Sequence, residues 1–155
     1  IDTSANSAIC SLKAATYTAN TLEVSFVACP VPLPNITEDI SLDGDYFVAS
    51  GSTVSIASSA TASISDGCLQ LDGDLVIAVT SSTQSKTTYT LLDVTQGCLT
   101  GEFGSITLDT SANSAICSLK DSTYTNNTLE VSFVACLPDV TEDIILPVGI
   151  SYRLE

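Results

Sequence analysis

The sequence predicts an all-β fold of short strands, which we interpret as a disulfide-stapled, β-solenoid-like stack. Ser, Thr, Val and Ile dominate, and no stretch sustains the i, i+3, i+4, i+7 apolar spacing of an amphipathic helix. Short alternating apolar segments recur between turns that contain Gly and Asp. Aromatic residues make up only 6% of the chain. This favours a solenoid of small stacked side chains over the alternative, two-sheet β-sandwich repeats with an aromatic-weighted core.

Each predicted strand is a run in which apolar residues alternate with others. In chain order, these strands lie at 22–28, 46–49, 54–56, 62–64, 69–71, 75–79, 88–92, 103–108 and 129–135. Turns are predicted at Asp43-Gly44, Asp66-Gly67, Asp72-Gly73 and Gly101, because Gly and Asp accept positive φ. The segment with Pro30, Pro32 and Pro34 is expected to resist regular pairing.

The chain repeats itself. Residues 1–29 recur as residues 108–136, 107 positions later, with differences at four positions. The match resumes as LPNITEDI (33–40) and LPDVTEDI (137–144). We therefore divide the chain into the C-terminal part of a preceding repeat (1–29), a Pro-rich linker (30–36), one full unit (37–136) and the start of the next repeat (137–155). Such near-identity is typical of tandem arrays with repeated interfaces, and we expect the segment to be a piece of a longer protein.

Six cysteines predict a disulfide framework. They are Cys10, Cys29, Cys68, Cys98, Cys117 and Cys136, and no CxxC motif occurs. The even number predicts an oxidising compartment. Because equivalent cysteines should pair equivalently, we predict Cys10–Cys29, Cys117–Cys136 and Cys68–Cys98. Each bond would close a loop of about 20 to 30 residues and contribute on the order of 3 kcal/mol of stability in the chain-entropy model.

Three segments carry a resemblance to a known class of proteins. They are CLQLDGDLVIAV (68–79), TTYTLLDVTQGCLTGEFGSITL (87–108) and NTLEVSF (127–133), together under half the chain. They resemble the β-helix segment of autotransporter passengers and related extracellular surface repeat proteins. The matching positions are Leu71, Gly73, Leu75, Tyr89, Leu91, Leu92, Gly101, Phe103, Ile106, Leu129 and Val131. Unlike the bacterial form, this chain has four cysteines per unit, which indicates a disulfide-stabilised relative.

Two kinds of binding or modification site are candidates. Carboxylates flank glycine in the two Asp-Gly-Asp turns and can donate oxygens to Ca²⁺, although solvated turn carboxylates explain them as well. The four residues are Asp43, Asp45, Asp72 and Asp74. No other cofactor is expected. Asn35-Ile36-Thr37 and Asn126-Asn127-Thr128 are N-glycosylation sequons, which makes Asn35 and Asn126 candidate glycan sites.

Composition disfavours several other functions. The net charge of −14 repels phosphate, so no nucleic-acid partner is expected. No apolar run approaches the roughly 18 residues of a membrane-spanning helix. The chain has no His, so it has no Ser-His-Asp triad. Asp2-Thr3-Ser4 and Asp109-Thr110-Ser111 resemble an aspartic-protease signature, but they lie in a duplicated block and Asx turns explain both. We therefore expect no catalytic residues and no enzyme activity.

These observations predict a structural subunit or repeat module of an extracellular or cell-surface fibre, appendage or surface matrix. Its partners would be identical or neighbouring repeats, joined by β-strand addition or end-to-end stacking. The alternative is an adhesin stalk or a glycan- or protein-binding module. A secreted β-helix enzyme would need acids with Lys or Arg along one face. The four basic residues of the chain disfavour it.

Overall fold

Every regular element in the part of the chain that the structure describes, residues 9–137, is a β-strand. This computed structural model therefore confirms the all-β class, and among these residues there is no helix that could cross a membrane. The strands are β1 (Ile9–Thr18), β2 (Thr21–Ala28), β3 (Val31–Pro32), β4 (Ile40–Leu42), β5 (Tyr46–Val48), β6 (Thr53–Ala57), β7 (Ala62–Ile64), β8 (Cys68–Leu71), β9 (Asp74–Ala78), β10 (Thr88–Asp93), β11 (Cys98–Gly101), β12 (Ser105–Asp109), β13 (Ile116–Tyr124) and β14 (Thr128–Ala135).

Most of these strands form three parallel ladders. The first ladder has the order β11-β8-β5-β3, and the second has the order β12-β9-β6. The third ladder joins β4, β7 and β10 in parallel, and β14 and β13 extend it with antiparallel pairing. The chain thus visits the same three ladders in the same order on successive passes. The backbone N–H and C=O groups of one pass form hydrogen bonds with those of the neighbouring passes.

The core lies between the ladders. Along β6, β8 and β9 every second side chain is buried, as Val54 and Ile56, Leu69 and Leu71, and Leu75 and Ile77 illustrate. The residues between them are polar or half-buried, which is the pattern of a strand with one covered face. Each fully buried Leu or Ile contributes about 1.5–3 kcal/mol relative to its exposed state.

Glycines mark the corner at which three of the four strands of the first ladder begin. Gly44, Gly67 and Gly97 precede β5, β8 and β11, and Gly67 has a φ of 138°. A Cβ atom on Gly67 would collide with the carbonyl of Gly44, and one on Gly97 would collide with the carbonyl of Gly67. The passes therefore approach each other here more closely than any side chain allows.

The Pro-rich segment differs from its prediction, because β3 pairs in parallel with β5. The amides of Val31 and Leu33 donate to the carbonyls of Asp45 and Phe47, both at 2.9 Å. Pro32 lies between these two donors on an edge strand, where its missing N–H costs no ladder bond. The prediction failed because it treated proline as a break instead of an edge residue.

The predicted strands are all present, within one or two residues at most ends. The sequence missed β1, β4, β11 and β13 in addition to β3. Both β1 and β13 contain Lys, Ser and Thr, and β13 also contains Asp. Apolar and polar residues therefore do not alternate cleanly along either strand. β13 is the outermost strand of its sheet, so polar side chains cost it little burial energy.

The two copies of the repeated block form the same hairpin. The N-terminal hairpin consists of β1 and β2, and the C-terminal hairpin of β13 and β14. The pair Leu12↔Phe26 recurs as Leu119↔Phe133, and Tyr17↔Leu22 recurs as Tyr124↔Leu129. Both hairpins also have register shifts at equivalent positions. The local sequence therefore determines pairing within the hairpin.

Candidate functional site

The C-terminal hairpin is bound to the rest of the molecule along β10. β14 pairs with β10 in antiparallel register, with Tyr89 opposite Val131 and Leu92 opposite Leu129. Leu129, Val131 and Phe133 are buried. The rings of Tyr89 and Phe133 lie 5.8 Å apart in a tilted arrangement that aromatic pairs favour.

Polar contacts also hold this hairpin. The amide of Val94 donates to the carbonyl of Asn127 at 2.7 Å, and the amide of Phe103 donates to the Tyr124 hydroxyl at 3.1 Å. Burial raises the pKa of Tyr124; the hydrogen bond from Phe103 opposes this shift and the charge of Glu102 adds to it. The hairpin is therefore tied to the connection between β11 and β12 as well as to the segment of β10.

A hydroxyl cluster fixes the segment that leads into the C-terminal hairpin. The Asn113 side-chain amide donates to the carbonyls of Thr80 and Thr83, at 3.0 and 3.1 Å. The hydroxyl of Thr83 is hydrogen-bonded to the hydroxyls of Thr80 and Ser58. Ser58 and Thr83 are buried, so these bonds satisfy polar groups that would otherwise be costly.

The N-terminal hairpin exposes the side chains that its counterpart buries. Leu22, Val24 and Phe26 are 50%, 47% and 44% exposed, and Tyr17 is 80% exposed. Together with Leu12, opposite Phe26, they form what we call the open face. Within residues 9–137, β2 pairs with β1 alone, so the strand edge that β14 gives to β10 is unpaired in β2.

Two hollows lie where the N-terminal hairpin meets the ladders. One, of about 380 Å³, is bordered by the Cys10–Cys29 disulfide together with Pro30, Phe47 and Val48. The other, of about 450 Å³, lies between Lys13 and Phe26 on the hairpin and carboxylates at the glycine corner. Those carboxylates are Asp43, Asp45 and Asp66. Phe26 therefore borders a hollow against the ladders, yet it stays 44% exposed, and Leu22 and Val24 are about half exposed.

The three disulfides have the pairing expected from the repeat. Cys10–Cys29 and Cys117–Cys136 close the two hairpins, with Cα atoms 4.9 and 4.8 Å apart. Cys68–Cys98 joins the first residues of β8 and β11, which are in register, with Cα atoms 4.5 Å apart. Two disulfides therefore fasten hairpins, and the third fastens one pass of the chain to the next.

The four aspartates proposed for Ca²⁺ serve partly as structural acceptors. Asp45 accepts a hydrogen bond from the amide of Cys68 at 2.8 Å, and Asp74 accepts one from the hydroxyl of Ser105 at 2.6 Å. Both bonds join one pass to the next. Asp43 and Asp72 are exposed. No group of three or more Asp, Glu or Cys side chains suited to a metal ion occurs within residues 9–137.

Both sequon asparagines are exposed. Asn35 precedes the Ile36 bridge to β6, and its side-chain oxygen accepts a hydrogen bond from the amide of Ser55 at 2.9 Å. Asn126 lies at the tip of the C-terminal hairpin, and Ala19 replaces it in the N-terminal copy. The bond from Ser55 engages the side-chain oxygen of Asn35. Glycosylation of Asn35 and Asn126 stays a prediction.

Asp109 forms the local turn expected for its Asp-Thr-Ser motif. Its carboxylate accepts a hydrogen bond from the backbone amide of Ser111 at 3.0 Å. Hydrogen bonds from the Ser111 backbone and then its side chain lower the pKa of Asp109. This contact is an Asx turn at the end of β12. The first copy, at Asp2, lies outside the described residues.

The open face was not singled out in the sequence, because Leu22, Val24 and Phe26 look like ordinary core residues of an alternating strand. The available signal was the repeat itself, which implies two equal apolar faces that each need a covering strand. Comparisons of the chain with protein-family models, with curated protein sequences and with solved structures found no match. Its function is therefore inferred from its own residues.

Proposed function

We propose that this chain is a structural repeat module of an extracellular fibre, appendage or surface matrix. The observation that carries the proposal is the recurrence of one disulfide-closed hairpin, in one register, 107 residues apart along the chain. Repeated elements with repeated pairing are typical of arrays in which each unit contacts its neighbours. The disulfides suit an oxidising compartment outside the cell.

In this proposal the three parallel ladders are the faces of a β-solenoid, and each pass of the chain is one coil. Supporting observations are the repeated strand order, the small aliphatic core and the hydrogen bonds between passes. The resemblance to β-helix segments of autotransporter passengers belongs to the same proposal. A solenoid adds stability coil by coil, which suits a mechanical role.

The ends of the ladders provide surfaces for stacking. Among the described residues, β3 and β4 have an unpaired edge at one end, and β11 and β12 have one at the other. Val31 and Ile40 are exposed at the first end. Exposed strand edges are templates for pairing with another chain. The net charge of −14 opposes close approach, so salt or Ca²⁺ should favour stacking.

Negative-stain electron microscopy of the unreduced protein tests this function. We expect filaments with a regular axial repeat, more abundant at higher salt or with added Ca²⁺. A reduced sample should lose them if the disulfides have a mechanical role. Discrete, monodisperse particles under all conditions would contradict assembly through this segment. That result would favour an adhesin or glycan-binding module, for which glycan-array binding is the next measurement.

A further inference from the structure

We infer that the open face of the N-terminal hairpin is a docking surface for a further repeat body placed directly before it in the polypeptide. By repeat body we mean the segment from β3 to β12, residues 31–109. The inference rests on the proposed array function and specifies its interface: β2 would pair with the β10 strand of that preceding body. The contact would be an intramolecular one between consecutive repeats.

The occupant follows from the covered copy of the same hairpin. Phe133 packs against Tyr89, and Leu129 and Val131 lie opposite Leu92 and Tyr89. The residues at the corresponding positions of the N-terminal hairpin are identical: Phe26, Leu22 and Val24. A strand with the sequence of β10 would therefore meet the same side chains in the same register.

In the part of the chain that the structure describes, the N-terminal hairpin has an exposed apolar face and an unpaired strand edge, and this one strand would cover the face and pair with the edge. The apolar face is about half exposed in its three central residues. The backbone edge of β2 is unpaired within residues 9–137. In the C-terminal hairpin β10 covers the face and pairs with the edge at once. An unpartnered strand edge beside an apolar face is a site for strand addition.

The β10 strand of this same chain is not available, because β14 already occupies its edge. The C-terminal hairpin also reaches β10 intramolecularly, which gives it a high effective concentration. In a tandem array each hairpin follows a body as the C-terminal hairpin follows residues 31–109. The N-terminal hairpin would then belong to the body before it, and this geometry selects the same polypeptide over a second molecule.

The test is an extended chain in which a copy of residues 30–107 is joined directly before Ile1. This junction reproduces the natural step from residue 107 to residue 108. Hydrogen exchange is measured by mass spectrometry in the original and the extended chain. Ala19 and Asn126 give peptides of the two hairpins different masses. We expect amides of β2 to exchange roughly 100-fold more slowly in the extended chain. Unchanged exchange would overturn the inference.

Two matched variants separate docking from a general loss of structure. Phe26→Ala in the extended chain should restore the fast exchange of β2, whereas Val27→Ala should not. Val27 and its counterpart Val134 are 36% and 41% exposed, so this position stays outside the interface in both copies. In the original chain neither variant should change exchange of the hairpin. Equal effects of the two variants in the extended chain would contradict docking through the open face.

Sedimentation velocity of the original chain tests whether the covering strand comes from the same polypeptide or from a second molecule. We expect no dimer that depends on Phe26; a dimer that Phe26→Ala abolishes would show that a second molecule supplies the strand and would overturn the choice of the same polypeptide. Protection in the extended chain without filaments in the microscope would reject the polymer function and leave this interface intact. Filaments without protection of β2 in the extended chain would reject this interface and leave the polymer function intact.

Discussion

The two hairpins of this chain are a natural comparison of one sequence in two environments. Their strands pair in the same register and each is closed by a disulfide between residues 19 positions apart. Yet Phe133 is buried and Phe26 is 44% exposed. Pairing within a hairpin is thus a local property, whereas burial depends on whether a third strand is present.

The energetic difference between the hairpins is large. Burial of Leu129, Val131 and Phe133 contributes about 1.5–3 kcal/mol for each side chain. The equivalent side chains of the N-terminal hairpin are about half exposed and lack about half of this contribution. A two-stranded hairpin alone is at best marginally stable in water. We therefore expect the C-terminal hairpin to unfold with the ladders and the N-terminal hairpin to open independently.

The largest expected effect comes from removing the equivalent phenylalanine of each hairpin. Phe133→Ala should lower the free energy of unfolding by about 3–5 kcal/mol, because it leaves a cavity against Tyr89. Phe26→Ala should lower it by less than about 1 kcal/mol, since its ring is half exposed. Denaturant unfolding of both variants measures the difference between the two losses of unfolding free energy. Val134→Ala and Val27→Ala are the matched controls, and equal losses from the two phenylalanine variants would contradict the comparison.

A slightly smaller difference is expected from the disulfides. Replacing Cys117 and Cys136 by Ser should lower the global free energy of unfolding by about 3 kcal/mol, because the loop that their disulfide closes belongs to the cooperative unit. The Cys10–Cys29 disulfide closes a loop of equal length. Replacing Cys10 and Cys29 by Ser should instead speed hydrogen exchange in β1 and β2 and leave the global transition nearly unchanged. Equal shifts of the global transition by both pairs would show that the N-terminal hairpin unfolds with the ladders.

Much of this fold could be predicted from the sequence, because alternation and repetition are local signals. The runs that contain Val54 and Ile56, or Leu75 and Ile77, alternate clearly and became β6 and β9. Pairing of the cysteines followed from the repeat, since equivalent residues must find equivalent partners. The glycine corners at Gly44 and Gly67 followed from Asp-Gly turns, whereas the corner at Gly97 follows Gln96 and was not predicted. The close approach of Gly67 to Gly44 also required the structure.

What the sequence did not predict depends on position within a sheet. Pro32 pairs because it lies on an edge, and β13 tolerates Lys120 and Asp121 for the same reason. The open face stayed hidden because Phe26 and Phe133 have the same sequence context. Their different exposure follows from the presence or absence of β10, a strand distant in the sequence from Phe26.

The smallest expected difference concerns the equivalent tyrosines. Tyr124→Phe should lower the free energy of unfolding by about 1 kcal/mol, because the amide of Phe103 loses its acceptor. Tyr17→Phe should have no measurable effect, since Tyr17 is largely exposed. Denaturant unfolding at neutral pH separates the two variants. Equal effects would show that the hydrogen bond from Phe103 contributes nothing in the C-terminal hairpin.

The same tyrosine should make stability sensitive to alkaline pH. Burial raises the pKa of Tyr124 above its ordinary value of 10.0, so the folded protein holds this proton more tightly than the unfolded chain does. Its contribution is fully present below pH 10 and is lost as the pH rises through the folded-state pKa. We expect a late phase in the tyrosinate absorbance of the folded protein, present in Tyr17→Phe and missing in Tyr124→Phe. If that late phase survived in Tyr124→Phe, the protection of this hydroxyl by the docked hairpin would be refuted.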